Sequence, residues 1–159
     1  MQAVQTMSLT ILEESPATPD AAALLEELSD ALQAITGSSG RASFDPEDVQ
    51  GPRALFAVAR DGQGRALGCG ALRPLAQDIA EIKRVYARTG GAGVGSAILA
   101  HLERRAREMG YRAIWLETRA VNHNAVRFYE KHGYHRIENY GKYAGRAEAV
   151  CFEKRLFSE

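Results

Sequence analysis

The sequence predicts a mixed α/β fold in one domain spanning residues 1–159: a mixed twisted sheet of six to seven strands flanked by about four helices. Short apolar runs alternate with longer stretches whose apolar residues recur every three or four positions, the periods of strand and helix. A length of 159 residues suits one domain, and no repeat, low-complexity tract or linker divides it. A hydrophobic share of 45% with 25% charged residues is that of a globular chain able to bury a core.

The elements follow in chain order. "SLTILEE" reads as a strand. "SPATPDAAALLEELSDALQAITG" supplies turn residues and then a helix with Leu24, Leu25, Leu28, Leu32 and Ile35 on one side, ended by Gly37. "SSGRASFDPEDVQGPR" is rich in breakers and reads as a loop, with a short helix starting at Asp45 or Pro46. "ALFAVARDGQGRALGCGALRPL" is two strands joined by a turn at Asp61 to Gly64. "DIAEIKRVYA" is a further strand that runs into glycines. After them Val94, Ile98, Leu102, Ala106 and Met109 mark an amphipathic helix stopped by Gly110. "YRAIWLET" reads as a buried strand, and "NHNAVRFYEKHG" as a short helix capped by Asn122 with Gly133 just past its end. "YHRIEN" and "AEAVCFEKRL" close the chain as two strands around the loop "YGKYAGR".

Composition excludes several classes of function. Lys plus Arg and Asp plus Glu are both 20, so no global basic field favours nucleic acid or an anionic membrane. The apolar runs are far too short for a membrane span, and "MQAVQTMSLTILEES" lacks a basic leader with a long apolar stretch; a cytoplasmic location is expected. Cys69 and Cys151 stand in strand-like contexts without metal-ligand spacing, so buried reduced thiols and no metal are expected. His101, His123, His132 and His135 form no paired motif and read as surface or helix-end residues.

The stretch "RTGGAGVGSAIL", Arg88 to Leu99, carries the chemistry. A strand that enters a Gly-rich turn and then a helix aims several backbone N–H groups and the positive helix end at one point, an anion site; a tight turn with close helix packing is the alternative. A nucleotide P-loop needs a Lys that is absent here, and the dinucleotide fingerprint fails because Ser96 occupies its third glycine position.

The surroundings narrow the ligand. From Ala80 to Gly133 the chain resembles the acyl-CoA-binding core of the GNAT superfamily of N-acetyltransferases. Its first signature is matched at Gly93 and Gly95 and departed from at Gly90, where Gln or Arg is usual. Its second is matched at Asn122, Ala125, the "YEK" from Tyr129 and the "GY" from Gly133. The resemblance implies two central parallel strands splayed apart, here "EIKRVYA" and "AIWLET". The pantetheine arm of acetyl-CoA would then lie along Val85, Tyr86 and Ala87 as an added strand. It also implies a pyrophosphate on the amides of Gly90, Gly91, Ala92, Gly93, Val94, Gly95 and Ser96, with Asn122 and Asn124 nearby.

Acetyl transfer to an amine needs a base, a donor to the oxyanion and an acid for the thiolate. The resemblance puts Glu81 at the base position, acting through water, and Tyr129 at the acid position; the Val85 amide is the oxyanion donor. A phenol with an ordinary pKa of about 10 can pass a proton to sulfur as charge develops. An ordinary sheet glutamate and a core tyrosine are the structural alternatives. The acceptor, a small-molecule or peptide amine, would meet Arg41, Tyr140 and Tyr143 from the flanking loops. Arg146 has the charge to hold a carboxylate, and Asp45 or Glu47 a cationic amine. A homodimer is compatible with this fold and specified by no motif. A non-catalytic acyl-CoA-binding or regulatory module, and a nucleotide binder, are the competing functions.

Overall fold

A computed structural model describes residues 8–88 and 93–157. Seven strands, β1 (Thr10–Glu13), β2 (Leu55–Arg60), β3 (Ala66–Pro74), β4 (Ile79–Ala87), β5 (Ala113–Arg119), β6 (His135–Ile137) and β7 (Ala149–Arg155), form one sheet in the order β1-β2-β3-β4-β5-β7-β6. Three α-helices, α1 (Pro19–Thr36), α2 (Val94–Glu108) and α3 (His123–Lys131), flank it. The sequence predicts about four; among the described residues the loop after α1 forms only the 3₁₀ turns Arg41–Ser43 and Pro46–Val49, too short to count as a fourth.

Local signals end these helices as expected. Thr18 caps α1, its hydroxyl accepting from the Ala21 amide at 3.3 Å, with Pro19 in the first turn. Gly37 closes it in the left-handed conformation and returns its N–H to the Gln33 carbonyl at 3.0 Å. Along this helix Ala21, Leu24, Leu28 and Ser29 are buried, while Ile35, in its last turn, is 50% exposed. The hairpin turn is held by Asp61, whose Oδ1 accepts from the amides of Gln63 and Arg65.

Period two in the strands sorts the core into two layers. Ala57, Leu72, Ala80, Ile82, Ile114, Leu116 and Phe152 face α2 and α3, meeting Val94, Ile98, Leu102 and Tyr129. Phe56, Val58, Cys69 and Ala71 face α1 through Ala21 and Leu24. Cys69 and Cys151 are buried free thiols, and burial pushes the Cys69 thiol up to about 12.

Every sheet neighbour is antiparallel except β4 and β5, which the α2 crossover makes parallel. Their pairing comprises Ile79↔Ala113, Ala80↔Ile114 and Glu81↔Trp115, although β4 continues to Ala87 and β5 to Arg119. The strands therefore part beyond Glu81. The cause lies in β4: its pairing with β3 passes from Ala71↔Lys83 to Cys69↔Tyr86, so Arg84 and Val85 together oppose Gly70. Such a bulge bends its strand and increases the twist. Arg84 sits in it at φ 57°, in the left-handed region.

Candidate active site

The opened strands bound a cleft of about 160 Å³ whose lining includes Glu81, Lys83 and Val85 from β4, Glu117 and Arg119 from β5, and Tyr129 from α3. Leu28 and Leu32 of α1 and Asn122 border it as well. A second crevice adjoins it across Glu81, Lys83 and Tyr143 and runs out between Arg41, Asp45, Arg73 and Tyr140.

β4 ends at Ala87, and α2 begins at Val94. Gly93 is its N-cap at φ 82° with no side-chain cap, so the amides of Val94, Gly95 and Ser96 lack the partners that a helix interior supplies. Among the described residues a Cβ on Gly93 would meet nothing within 4 Å, whereas one on Gly95 would touch the Phe128 ring at 3.4 Å. Gly93 thus presents bare backbone, and Gly95 admits α3. The expectations for Gly90, Gly91 and Ala92 lie outside the described residues. Ser96 offers its amide but not a free hydroxyl, because its Oγ is 2.8 Å from His132 Nε2 while His132 Nδ1 is 2.8 Å from the Phe128 carbonyl. His132, at the end of α3, therefore ties that helix to the first turn of α2.

Asn122 caps α3, its Oδ1 accepting from the Ala125 amide at 3.3 Å, and it also lines the cleft. Asn124 points away into an exposed bond with Arg127 Nη2 at 2.8 Å. Val85, Tyr86 and Ala87 lie on the stretch of β4 beyond its pairing with β5; Tyr86 turns toward the α1 layer and donates to Glu27 Oε1 at 3.3 Å. Arg88 grips Glu27 through two guanidinium nitrogens, so it is committed to α1.

Tyr129 is packed among Phe128, Tyr134 and Phe152, with centroids at 5.2, 5.6 and 6.2 Å. Its hydroxyl has no hydrogen-bond partner among the described residues, and burial alone raises its pKa above the usual phenol range. Behind it, buried Glu103 accepts from Tyr134 at 2.8 Å and from Lys154 Nζ at 3.1 Å, and Lys154 also donates to the His132 carbonyl at 2.9 Å. This network fixes α3, and with it Tyr129, against α2 and β7.

Glu81 is 3% exposed. Its Oε1 accepts from Arg73 Nη1 at 2.8 Å and its Oε2 from the Tyr140 hydroxyl at 2.5 Å. Tyr140 stacks on Trp115 at 5.0 Å and on Tyr143 at 5.6 Å, and Lys83 donates to the Tyr143 hydroxyl at 3.3 Å. Both tyrosines expected to wall the acceptor side are thus locked to the β4 charges. Their phenols are pushed above the usual range, first by burial and then by the nearby carboxylates. Burial lowers the Lys83 ammonium, with Glu81 opposing. Arg41 borders the second crevice, but its guanidinium is bound to exposed Glu26 at 2.8 Å. Asp45 serves as the cap of a 3₁₀ turn.

Sequence reasoning passes over three charged residues here. Arg84 reaches from the bulge to Ser29 Oγ at 2.5 Å and to the carbonyls of Leu25 and Ser39, pinning α1 and its following loop over the cleft. Glu117 sits in "YRAIWLET", which reads as a buried strand, and Arg119 directly follows it. The signal is present as alternation: Ile114 and Leu116 face the core while Trp115, Glu117 and Arg119 share the face of Glu81 and Lys83.

A mixed sheet opened between its parallel strands, facing an uncapped helix N-terminus, is the fold of the acyl-CoA N-acyltransferases. A structure from Klebsiella pneumoniae assigned to that class superposes with a TM-score of 0.78 at 30% identity, covering 94% of this chain and 98% of that one. The acetyltransferase (GNAT) family description matches residues 21–134, and the chain belongs to that family: it is an acyltransferase. An IAA acetyltransferase of Azospirillum brasilense is 28% identical over 152 residues, 94% of this chain and 99% of that protein. A GNAT acetyltransferase of Elizabethkingia anophelis with acetyl-CoA bound shares the fold, with a TM-score of 0.68 at 15% identity, covering 92% of this chain and 97% of that one. Among the described residues no helix is long and apolar enough to cross a membrane, and no group of His, Cys, Asp or Glu is arranged to hold a metal ion.

Proposed function

We propose that the chain transfers the acetyl group of acetyl-CoA to a primary amine by direct attack. The observation that carries this is the parting of β4 from β5 beyond Glu81, which leaves the edge of residues 82–87 that would face β5 without a strand partner, in the cleft that Tyr129 also lines and shortly before α2 begins at Val94. Acetyl-CoA supplies an acetyl group activated as a thioester. The unpaired β4 edge is suited to hydrogen-bond its pantetheine arm, the Val94, Gly95 and Ser96 amides to receive its pyrophosphate, and the Val85 amide to donate to the carbonyl oxygen as negative charge builds there. As the amine nitrogen bonds to the acetyl carbon and the carbon–sulfur bond breaks, Tyr129 gives its proton to the departing sulfur. The amine proton passes to Glu81, whose Oε2 is reached through the Tyr140 hydroxyl or a water.

The test is thermal. Acetyl-CoA at a hundred times its dissociation constant adds about 2.7 kcal/mol to stability, a shift of several degrees, and free CoA should appear when an amine is added. In Gly93→Val the shift should vanish while the fold persists, because the new Cβ meets nothing within 4 Å among the described residues yet strains φ 82° and screens the amides. An unshifted parent would overturn the proposal, and a shift without CoA release to any amine would leave a binding module.

Glu81 is tested by rate. Glu81→Gln is expected to keep the acetyl-CoA shift and to lower kcat roughly tenfold or more; an unchanged kcat would make Glu81 the anchor of Arg73 and Tyr140 only.

A further inference from the structure

Five charged side chains line the cleft: Glu81, Lys83, Arg84, Glu117 and Arg119. Three are committed within the protein. Glu81 is bound by Arg73 and Tyr140, Lys83 donates to Tyr143, and Arg84 donates to Ser29 and two carbonyls. Glu117 and Arg119 are different. They form a loose ion pair with each other at 3.5 Å, Arg119 Nη1 also standing 3.9 Å from Glu148 Oε1, but neither has a side-chain hydrogen bond to a described residue, and Glu117 Oε2 and Arg119 Nη1 are buried without one. The remainder of each side chain opens on the cleft, at 12% and 30% exposure. A buried acceptor and donor left unbonded cost roughly 1–3 kcal/mol each, so the pair is built for something that arrives.

Resting on the acetyl-transfer reading above, we propose that this pair recognises the acceptor and that the acceptor is an α-amino acid. Glu117 takes its ammonium and Arg119 its carboxylate. An α-amino acid carries both groups on one carbon, which suits a carboxylate and a guanidinium held this close. Charge points the same way. Arg73 neutralises Glu81, leaving Lys83, Arg84 and Arg119 against Glu117, so the cleft is cationic on balance. A simple amine, itself a cation, enters against that field; one accompanied by a carboxylate does not. The acceptor's own side chain has the adjoining crevice beneath Tyr140 and Tyr143 to occupy.

The surroundings of Glu117 are consistent with a group awaiting a cation. Burial raises its carboxyl despite Arg119 on its own strand, Lys83 on β4 and Lys142 of the 3₁₀ turn Gly141–Tyr143, and Glu81 raises it further. Tyr143 and Cys151 complete the groups facing it. A bound ammonium would draw that pKa down again, so the KM of the acceptor should rise as the pH falls through it.

The experiment measures CoA release from acetyl-CoA with the twenty proteinogenic L-amino acids, each beside its α-amide and, where stable, its decarboxylated amine such as tyramine, histamine, agmatine or cadaverine. At least one amino acid is expected to exceed its own amide and amine in kcat/KM by roughly 10- to 100-fold, the value of one charge-assisted contact. Arg119→Gln should raise KM for that amino acid while the matched amine, relieved of a neighbouring cation, loses nothing or gains, with Arg119→Lys recovering part of the loss for the amino acid. Glu117→Gln should raise KM for both. Transfer confined to amines lacking the carboxylate, an equal loss for acid and amine in Arg119→Gln, or no transfer to any amino acid by a protein that acetyl-CoA still stabilises would each overturn the inference. The parent's preference decides the matter without any variant, and loss of the parent's response to acetyl-CoA would instead overturn acetyl transfer itself.

Discussion

Tyr129→Phe is expected to bind acetyl-CoA as the parent does and to release CoA roughly tenfold to ten-thousandfold more slowly, the range for loss of a general acid. The substitution removes one oxygen and keeps the ring. Phe128, Tyr134 and Phe152 pack against that ring, while the hydroxyl has no partner among the described residues and borders the cleft. Stability should therefore hold or rise slightly, since an unpartnered hydroxyl leaves a buried site. The raised phenol pKa means that the proton is present on Tyr129 across the physiological range. Rate and melting temperature are measured on the same preparation. Unchanged turnover would assign Tyr129 to packing and protonation of the sulfur to water.

Gly68→Ala is the largest expected effect on the fold. A Cβ built there would lie 2.6 Å from the Tyr86 carbonyl oxygen, 2.8 Å from Ile98 Cδ1 and 2.9 Å from Val94 Cγ1. The first is backbone, so β3 and β4 cannot relieve it by turning a side chain. Overpacking of this kind costs about 1–3 kcal/mol, or several degrees of melting temperature at this chain length. Because the clash includes Val94 in the first turn of α2, the acetyl-CoA shift should shrink as well. Gly62→Ala is the control: nothing lies within 4 Å of the new methyl, and the melting point should stay put. Equal melting of the two variants would mean that α2 does not press on β3 at Gly68.

Much of the architecture was legible in the sequence because its signals are local. Capping by Asn122, the left-handed stops at Gly37, Gly110 and Gly133, the Asp61 turn and the three-and-four spacing from Val94 to Ala106 each act within a turn or two of chain. The glycines around Gly93 and the later "YEK" likewise announced a family because a motif is read in one dimension. Tertiary structure alone decided which polar residues meet. Tyr140 reaches Glu81 across 59 positions, and Arg84 reaches Ser29 across 55, bonds that no period or propensity encodes. Glu117 looked like part of a buried strand, and Arg119 like the residue after it, until the bulge at Arg84 drew β4 away from β5 and turned their face into a cleft wall. Where pairing between two strands stops is a property of the whole sheet, and the site proposed for this enzyme lies where it stops.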